Sequence, residues 1–554
     1  MLLLLFFNSV SSNLLRLPSS GSQFTCSGNA TFLGEDMNFS DFYAVSADTD
    51  TIIFKGSKTY TISDSLTLGG IDGGELLITS DEPLFRATAI INNTGDTQSI
   101  DYAKIYDVNG TEDHHIAATN SWSLGGTTNY WDFGAMLYTF TGTGIWDDPS
   151  NWEQDRVPAE TDNIQVLSGA SLIINGNKTI NNIDIEGILD IGGDTLIVNG
   201  NSDVSDSIHV GTGMLDTKNG DFYNSGTIAI ASGGTVDADG VLYNSGTIAA
   251  EGTLDADAMF YNSGTLAIAS GGTVDADSSF DGTNGTIIFS GEGNLLLGST
   301  VASLGTLSIT NGTVIYDGVD QTVFSDIYYN LTAGGGSGTK TLGGAVTVAG
   351  GLIIDASVTV DMNGNPIGVT GATDIDGILT VGGSTLTLDG ASVVGGTITV
   401  STGTVDANGA FNATGGNLTF TGAGNLQLAG DVTNLGTLTG ADFGTVTYDG
   451  GSQNLFGPQT YVNLVAGGTG TKTLLGTVTV SGAFTSNASV TTAMGAFDLD
   501  VAGATDINGI VTIVTGTLDA EGAFDAAGNG DATGGIINLT GAGHLELAGN
   551  VTSL

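Results

Sequence analysis

The sequence predicts an all-β protein: a right-handed parallel β-helix or β-solenoid built from coils of about 18–20 residues, with an N-terminal β module. Three observations lead there. A short unit recurs first. Tyr223-Asn224-Ser225-Gly226-Thr227-Ile228 returns as Tyr243-Asn244-Ser245-Gly246-Thr247-Ile248, a step of 20, and as Tyr261-Asn262-Ser263-Gly264-Thr265-Leu266, a step of 18. A long unit recurs at a constant offset of 132: Tyr316-Asp317-Gly318 returns as Tyr448-Asp449-Gly450, and Gly338-Thr339-Lys340-Thr341-Leu342 returns as Gly470-Thr471-Lys472-Thr473-Leu474. Ala372-Thr373-Asp374-Ile375 returns as Ala504-Thr505-Asp506-Ile507 at the same offset. From about Asp162 onward, short runs alternate apolar and polar residues, the period of a half-buried strand. Self-similarity at a fixed period marks a stacked architecture in which each coil contacts its neighbours.

The elements follow in order. Residues 1–42 are undefined. Met1 to Phe7 is apolar, but no basic residue precedes it and the run ends at Asn8, so it reads as a weak export signal or a false start. The single cysteine, Cys26, excludes an intrachain disulfide framework. Residues 43–133 carry short strands such as Thr51-Ile52-Ile53-Phe54 and Thr59-Tyr60-Thr61-Ile62, with Gly69-Gly70 and Gly73-Gly74 as turns. Residues 134–161 are a boundary segment. The four tryptophans (Trp122, Trp131, Trp146, Trp152) cluster around it, with Pro149 and Pro158 beside the last two. Residues 162–290 hold the short repeats and 291–554 the long ones. Inside them Leu386, Leu388, Ile228 and Ile230 are expected to face inward, and Thr385, Thr387 and Thr227 outward. Tandem β-sandwiches are the rival architecture, and the short repeat step favours the solenoid. Gly422 to Gly430 returns as Gly541 to Gly549, and the later copy stops at Leu554 without a polar cap, so the sequence reads as a fragment.

Composition bounds the function. Glycine is 88 of 554 residues and proline 6, so the chain is neither a collagen nor a proline-rich linker, and its 40% hydrophobic content supplies a core. The formal charge of −49 excludes a phosphate backbone as partner, keeps the chain soluble and attracts divalent cations. No run is long and apolar enough to span a membrane.

Several segments carry a resemblance. Asp50-Thr51-Ile52-Ile53-Phe54, Asn120-Ser121-Trp122 and Asn129-Tyr130-Trp131-Asp132-Phe133 resemble the opening and closing of β-helical modules. Gly144-Ile145-Trp146-Asp147-Asp148-Pro149-Ser150-Asn151-Trp152 is similar to a motif that recurs in autotransporter-like and adhesin-like bacterial surface proteins. Tyr329-Asn330-Leu331 and Thr339-Lys340-Thr341-Leu342 are similar to repeats of large secreted proteins. The resemblance implies an extracellular or cell-surface location and an adhesive or structural role, and brings no catalytic residues.

The candidate site is acidic. Asp237-Ala238-Asp239, Asp255-Ala256-Asp257 and Asp275-Ala276-Asp277 recur at steps of 18 and then 20. Residues at i and i+2 share a face of a strand, so stacked coils would align six carboxylates. They are either a solvated acidic coat or ligands of calcium, which takes six to eight oxygens. The later copies drift to Asp406-Ala407-Asn408 and Asp519-Ala520-Glu521, and neither the glycine-rich calcium nonapeptide nor an EF-hand loop is present.

Enzyme chemistry finds little support. A polysaccharide lyase needs a base and cations beside the substrate carboxylate. Lys340 and Lys472, the basic residues of the long repeats, are equivalent to each other and read as a structural or surface feature. With 59 acidic residues, the two carboxylates of a glycosidase discriminate nothing. His114 and His115 would face opposite ways, His209 stands alone, and His544 takes the place of Asn425. Outward Thr pairs (Thr385/Thr387, Thr397/Thr399, Thr445/Thr447, Thr477/Thr479) suit exposed strands. The tryptophans either plug the end of a β core or offer a sugar-stacking platform. The reading is a non-catalytic secreted or surface protein whose partners are cell-surface glycans or other surface proteins. The alternative is a polysaccharide-binding or polysaccharide-degrading β-helix, which needs Trp146 or Trp152 exposed beside a groove.

Overall fold

The structure is a computed structural model, and it describes all residues except 1–22, 28, 33–35, 48, 72–73, 81–88, 96, 102, 107, 112–115, 119–120, 124–130, 134–135, 309, 441–443 and 527–534. The apolar run Met1 to Phe7, His114 and His115, and the side chains of Trp122 and Trp131 lie outside the described residues. Two compact units divide the chain: Met1–Ile188 with Leu196–Asn201, and Leu189–Thr195 with Ser202–Leu554. Among the described residues, no helix is long and apolar enough to cross a membrane.

The first unit is built from parallel strand pairs. Met37–Val45 lies between Gln23–Cys26 and Thr59–Gly69, and Thr51–Phe54 pairs with Ala30–Phe32 and Leu76–Ser80. Its inward positions are aromatic: Phe24 stacks on Phe42 at 4.8 Å, Phe32 on Phe54 at 5.2 Å, and Tyr60 joins them. The Tyr60 hydroxyl accepts from the Lys55 N–H at 2.9 Å and donates to the Phe32 carbonyl, so this ring is buried with its polar atom bonded. Cys26 is buried in this core.

The second unit is a parallel β-solenoid. Each coil carries three short strands, and each strand pairs in register with its equivalent in the next coil. Tyr223 lies opposite Tyr243 and Tyr243 opposite Tyr261; Thr227, Thr247 and Thr265 align likewise. The strand Thr385–Leu388 shows why the alternation works. Leu386 and Leu388 are buried and Thr385 and Thr387 face out, so one strand supplies both core and surface.

The corner of the short repeat explains its glycine. A Cβ on Gly246 would sit 2.1 Å from the Gly226 carbonyl oxygen, and one on Gly264 would sit 2.1 Å from that of Gly246. Here the requirement is close backbone approach between coils. At other corners the requirement is a left-handed backbone, as at Gly233 with φ +86°, and Asn284 with φ +66° fills the same need. Gly246→Val should therefore cost about 1–3 kcal/mol by overpacking. Hydrogen exchange should show the opening confined to the coils around residues 226–264, because stability in a repeat stack is local. Unchanged protection there would contradict the close approach.

Beside this corner, an inward amide ladder runs along the coils. Asn224 Nδ2 donates to Asn244 Oδ1 and Asn244 Nδ2 to Asn262 Oδ1, both at 2.7 Å. Each amide also caps a backbone carbonyl, of Thr247 and Thr265 respectively. Stacked asparagine is thus bonded inside the core by its own repeats, and only the outer atoms of the ladder, Asn224 Oδ1 and Asn262 Nδ2, are buried without a hydrogen-bond partner among the described residues.

The long repeat begins where sheets are interrupted. Strands Val301–Ser303 and Thr306–Leu307 end two sheets, while the third continues through Thr313–Tyr316 to Asn330–Ala333. New sheets begin at Gln321–Val323 and Ile327–Tyr328. One long repeat later, two sheets end at Val432–Asn434 and Thr437–Thr439, and the third continues through Thr445–Tyr448. The strands Thr313–Tyr316 and Thr445–Tyr448 are equivalent in sequence yet lie in different sheets. The reason is arithmetic. From Thr313–Tyr316 to Thr437–Thr439 there are 20 strands, two more than six full coils of three. Each long repeat therefore starts two faces further on, which is one face back.

Each junction holds the same buried polar groups. The Phe324 N–H donates to the Tyr316 hydroxyl at 3.0 Å, and the Tyr328 hydroxyl donates to the Phe324 carbonyl at 2.6 Å. The Tyr316 hydroxyl must then donate to that of Tyr328, 2.9 Å away, which closes the ring. Phe456, Tyr448 and Tyr461 repeat this circuit. Burial pushes Tyr316 and Tyr448 up to about 12, so both stay neutral donors. The repeated lysines are structural. Lys340 and Lys472 are each 0% exposed. Lys340 Nζ donates to the Gly318 carbonyl and to Gln321 Oε1 at 2.9 Å, and Lys472 Nζ donates to the Gly450 carbonyl at 2.8 Å and to Gln453 Oε1 at 2.7 Å.

Candidate functional site

The acidic repeats form one in-register column. Strands Met214–Thr217, Thr235–Ala238, Thr253–Ala256 and Thr273–Ala276 pair in parallel, with Asp216 opposite Asp237, Asp237 opposite Asp255 and Asp255 opposite Asp275. Val236, Leu254 and Val274 fill the core one residue earlier, so alternation sends the carboxylates to the other face. Asp239, Asp257 and Asp277 follow two residues on. Asp237, Asp239, Asp255 and Asp275 are half-buried, and Asp257 and Asp277 are exposed. The column ends where Leu296 stands opposite Asp275.

Two triads of this column have ligand geometry. One oxygen from each of Asp216, Asp237 and Asp239 lies within 4.8 Å of the others, and the same holds for Asp237, Asp255 and Asp257. Asp275 and Asp277 are in neither triad. Asp216 was not in the sequence pattern, because its partner two residues on is Lys218 instead of an aspartate. The signal was the strand register, which aligns Asp216-Thr217-Lys218 with Asp237-Ala238-Asp239. Lys218 Nζ stands 2.7 Å from Asp216 Oδ1 and 3.9 Å from Asp239 Oδ2, and so neutralises one end of the ladder.

Beyond that end the charge is poorly compensated. One oxygen each of Asp255 and Asp275 is buried without a hydrogen-bond partner among the described residues. Burial raises Asp237, Asp255 and Asp275, and neighbouring aspartates add to it, Asp216 and Asp239 acting on Asp237 and Asp257 and Asp277 on Asp255. Asp275 is pushed up to about 6 by burial, then by Asp317 and Asp277. A carboxyl raised in the folded state binds its proton more tightly there than in the unfolded chain. Its contribution to stability is complete below the unfolded pKa and is lost as pH rises through the folded value. The melting temperature should therefore rise as pH falls from 7 towards about 5, within the window set by Asp275 near 6. Circular dichroism melts check this, and a melting temperature that falls over that range would show the ladder carboxyls to be ordinary.

A second ladder lies on the neighbouring sheet. Tyr223 and Tyr243 stack at 4.9 Å with rings 1° from parallel, and Tyr243 and Tyr261 stack at 5.2 Å and 6°. Tyr223 and Tyr261 are exposed, and the Tyr223 hydroxyl donates to Asp221 Oδ2 at 3.1 Å. Because the rings cover one another's faces, the row presents edges and hydroxyls.

Two of the tryptophans that were candidates for sugar stacking, Trp146 and Trp152, are buried plugs. Trp146 is 1% and Trp152 2% exposed. Trp152 Nε1 donates to the Trp146 carbonyl at 2.9 Å, and the Trp152 ring meets Phe140 and Trp146 edge to face at 5.1 and 5.2 Å. His209 is exposed on its strand and His544 is exposed on the strand His544–Leu547, and neither joins a metal-ligating cluster among the described residues.

Residues 210–278 match the haemagglutinin repeat family. The matched segment contains both acidic triads and the tyrosine ladder. No match is found among curated proteins or among solved structures. Fold and match together mark a repeat-rich β-helical protein of adhesin type, with a structural and adhesive character.

Proposed function

We propose that this chain is a non-catalytic adhesive scaffold, secreted or held at a cell surface, that meets surface glycans or other surface proteins. The observation that carries the reading is the set of identical outward columns within the haemagglutinin-repeat segment: Thr227/Thr247/Thr265, Tyr223/Tyr243/Tyr261 and the aspartate column. A partner that binds one rung weakly meets the same chemistry about 4.8 Å further on, so many weak contacts act together. Within this reading the aspartate column takes calcium, which relieves its repulsion and stiffens the coils, with water completing the six to eight oxygens. The burial of Trp146 and Trp152 counts against the sugar-platform alternative.

Beads coated with the folded chain test the reading. They should attach to cells or to glycan- and protein-coated surfaces, and a triple Tyr223→Ser, Tyr243→Ser, Tyr261→Ser variant should attach at least several-fold less. Absence of attachment by folded, densely coated beads would overturn it. For the cation, calcium at neutral pH should raise the melting temperature, and the increment should shrink near pH 5 as the same carboxyls take protons. A melting temperature indifferent to calcium and to chelator would leave the column as a solvated coat.

A further inference from the structure

We propose that Lys340 with Gln321, and Lys472 with Gln453, are sites of self-catalysed isopeptide cross-links, each forming a covalent rung between adjacent coils. The pairs are direct strand partners. Gln321 lies opposite Lys340 and Gln453 opposite Lys472, and all four side chains point into the core. The same arrangement is built twice, once in each long repeat and in different sheets.

The reacting groups are already in contact. Lys340 Nζ is 2.9 Å from Gln321 Oε1, and Lys472 Nζ is 2.7 Å from Gln453 Oε1. A near-attack arrangement needs the nucleophile about 3–3.5 Å from the carbon, and a nitrogen hydrogen-bonded to the amide oxygen is within a small rotation of that position. The amides are fixed. Gln321 Nε2 donates to the carbonyls of Leu297 and Ser299, and Gln453 Nε2 to those of Leu428 and Gly430 at 2.8 and 2.9 Å. The Gly450 N–H donates to Gln453 Oε1 at 2.9 Å, so it is aimed at the oxygen on which charge develops.

The protonation states suit the step. Carbonyl oxygens surround each Nζ: Gly318, Val319 and Gln321 in one copy, Gly450, Gly451 and Gln453 in the other. They satisfy an ammonium by hydrogen bonds, without a carboxylate in contact among the described residues. Burial pulls both lysines below their ordinary value, offset in part by the charge of Asp317 and of Asp449. Burial also raises Asp317 and Asp449, and one oxygen of each is buried without a hydrogen-bond partner among the described residues. Moving one proton from ammonium to carboxylate turns two buried charges into two neutral groups, which a low dielectric favours.

The step then balances. The neutral Nζ attacks Gln321 Cδ and a C–N bond forms. A proton then passes from Nζ to Nε2, the two nitrogens being held on the same Cδ in the tetrahedral intermediate. The Cδ–Nε2 bond breaks and ammonia leaves. Lys472 and Gln453 react in the same way. No oxidant, reductant or external co-reactant is needed.

Mass spectrometry of the purified full chain tests this. The expected result is a peptide map in which the peptides holding Gln321 and Lys340 are joined, those holding Gln453 and Lys472 are joined, and each joined pair is lighter by one ammonia. Gln321→Leu should lose the first link and keep the second, which serves as an internal control for folding. Separate peptides of full mass at both junctions would overturn the proposal, and a link at one junction alone would overturn it for the other.

Discussion

Trp152→Ala should be among the most damaging single changes in the first unit, lowering local stability by about 3–5 kcal/mol, the usual cost of removing a buried tryptophan. The ring is 2% exposed and fills the space between Tyr138, Phe140 and Trp146. Its loss leaves a cavity and also removes the donor from the Trp146 carbonyl. The bridge between Phe140 and Trp152 would open with it. Near-ultraviolet circular dichroism should lose the signal of the edge-to-face pair, and amides of residues 137–173 should exchange faster. Should both the signal and the protection survive, the plug is not what closes this end of the core.

Lys472→Met should be the most damaging charge removal in the second unit. Methionine fills much of the space but donates nothing, so the Gly450 and Gly451 carbonyls and Gln453 Oε1 lose their shared donor. Removing the donor from hydrogen-bonded acceptors in the core costs about 1–3 kcal/mol. Lys178→Met is the control. Lys178 pairs with Asp147 at 2.8 Å, but that carboxylate is half exposed, and such a pair is worth at most about 1 kcal/mol. Denaturant melts of the two variants should therefore separate clearly. Equal and small effects would show that the core lysine contributes no more than a surface one.

How much of this was legible in the sequence depended on whether the signal was local. Inward Leu386 and Leu388, outward Thr385 and Thr387, and the stacked asparagines follow from a strand period of two and the short repeat step. The aspartate column followed from the same step. Its first rung did not, because Lys218 replaces the second aspartate and only strand register shows Asp216 in line. The glycine of the short repeat was plain in the sequence, but its reason was not, because Gly246 serves contact between coils and so depends on the coil beneath. The long period was plain, yet its change of sheet was hidden, because it depends on the strand count modulo three. The lysines illustrate the same limit. Repetition marked them as structural or surface residues, and their burial needed the glutamine opposite, one coil earlier.

The measurement that tests the stacked account most directly is hydrogen exchange of the intact chain, read by mass spectrometry at neutral pH. In-register coils predict protected strands that recur once per face in every coil from Ser202 to Ala526, with fast exchange at the corners between them. The protection around Asp237, Asp255 and Asp275 should increase on acidification towards about pH 5, once the change in intrinsic exchange rate is removed. Protection without that period, or a ladder region that loosens as its carboxyls take protons, would contradict both the stack and the charge column built on it.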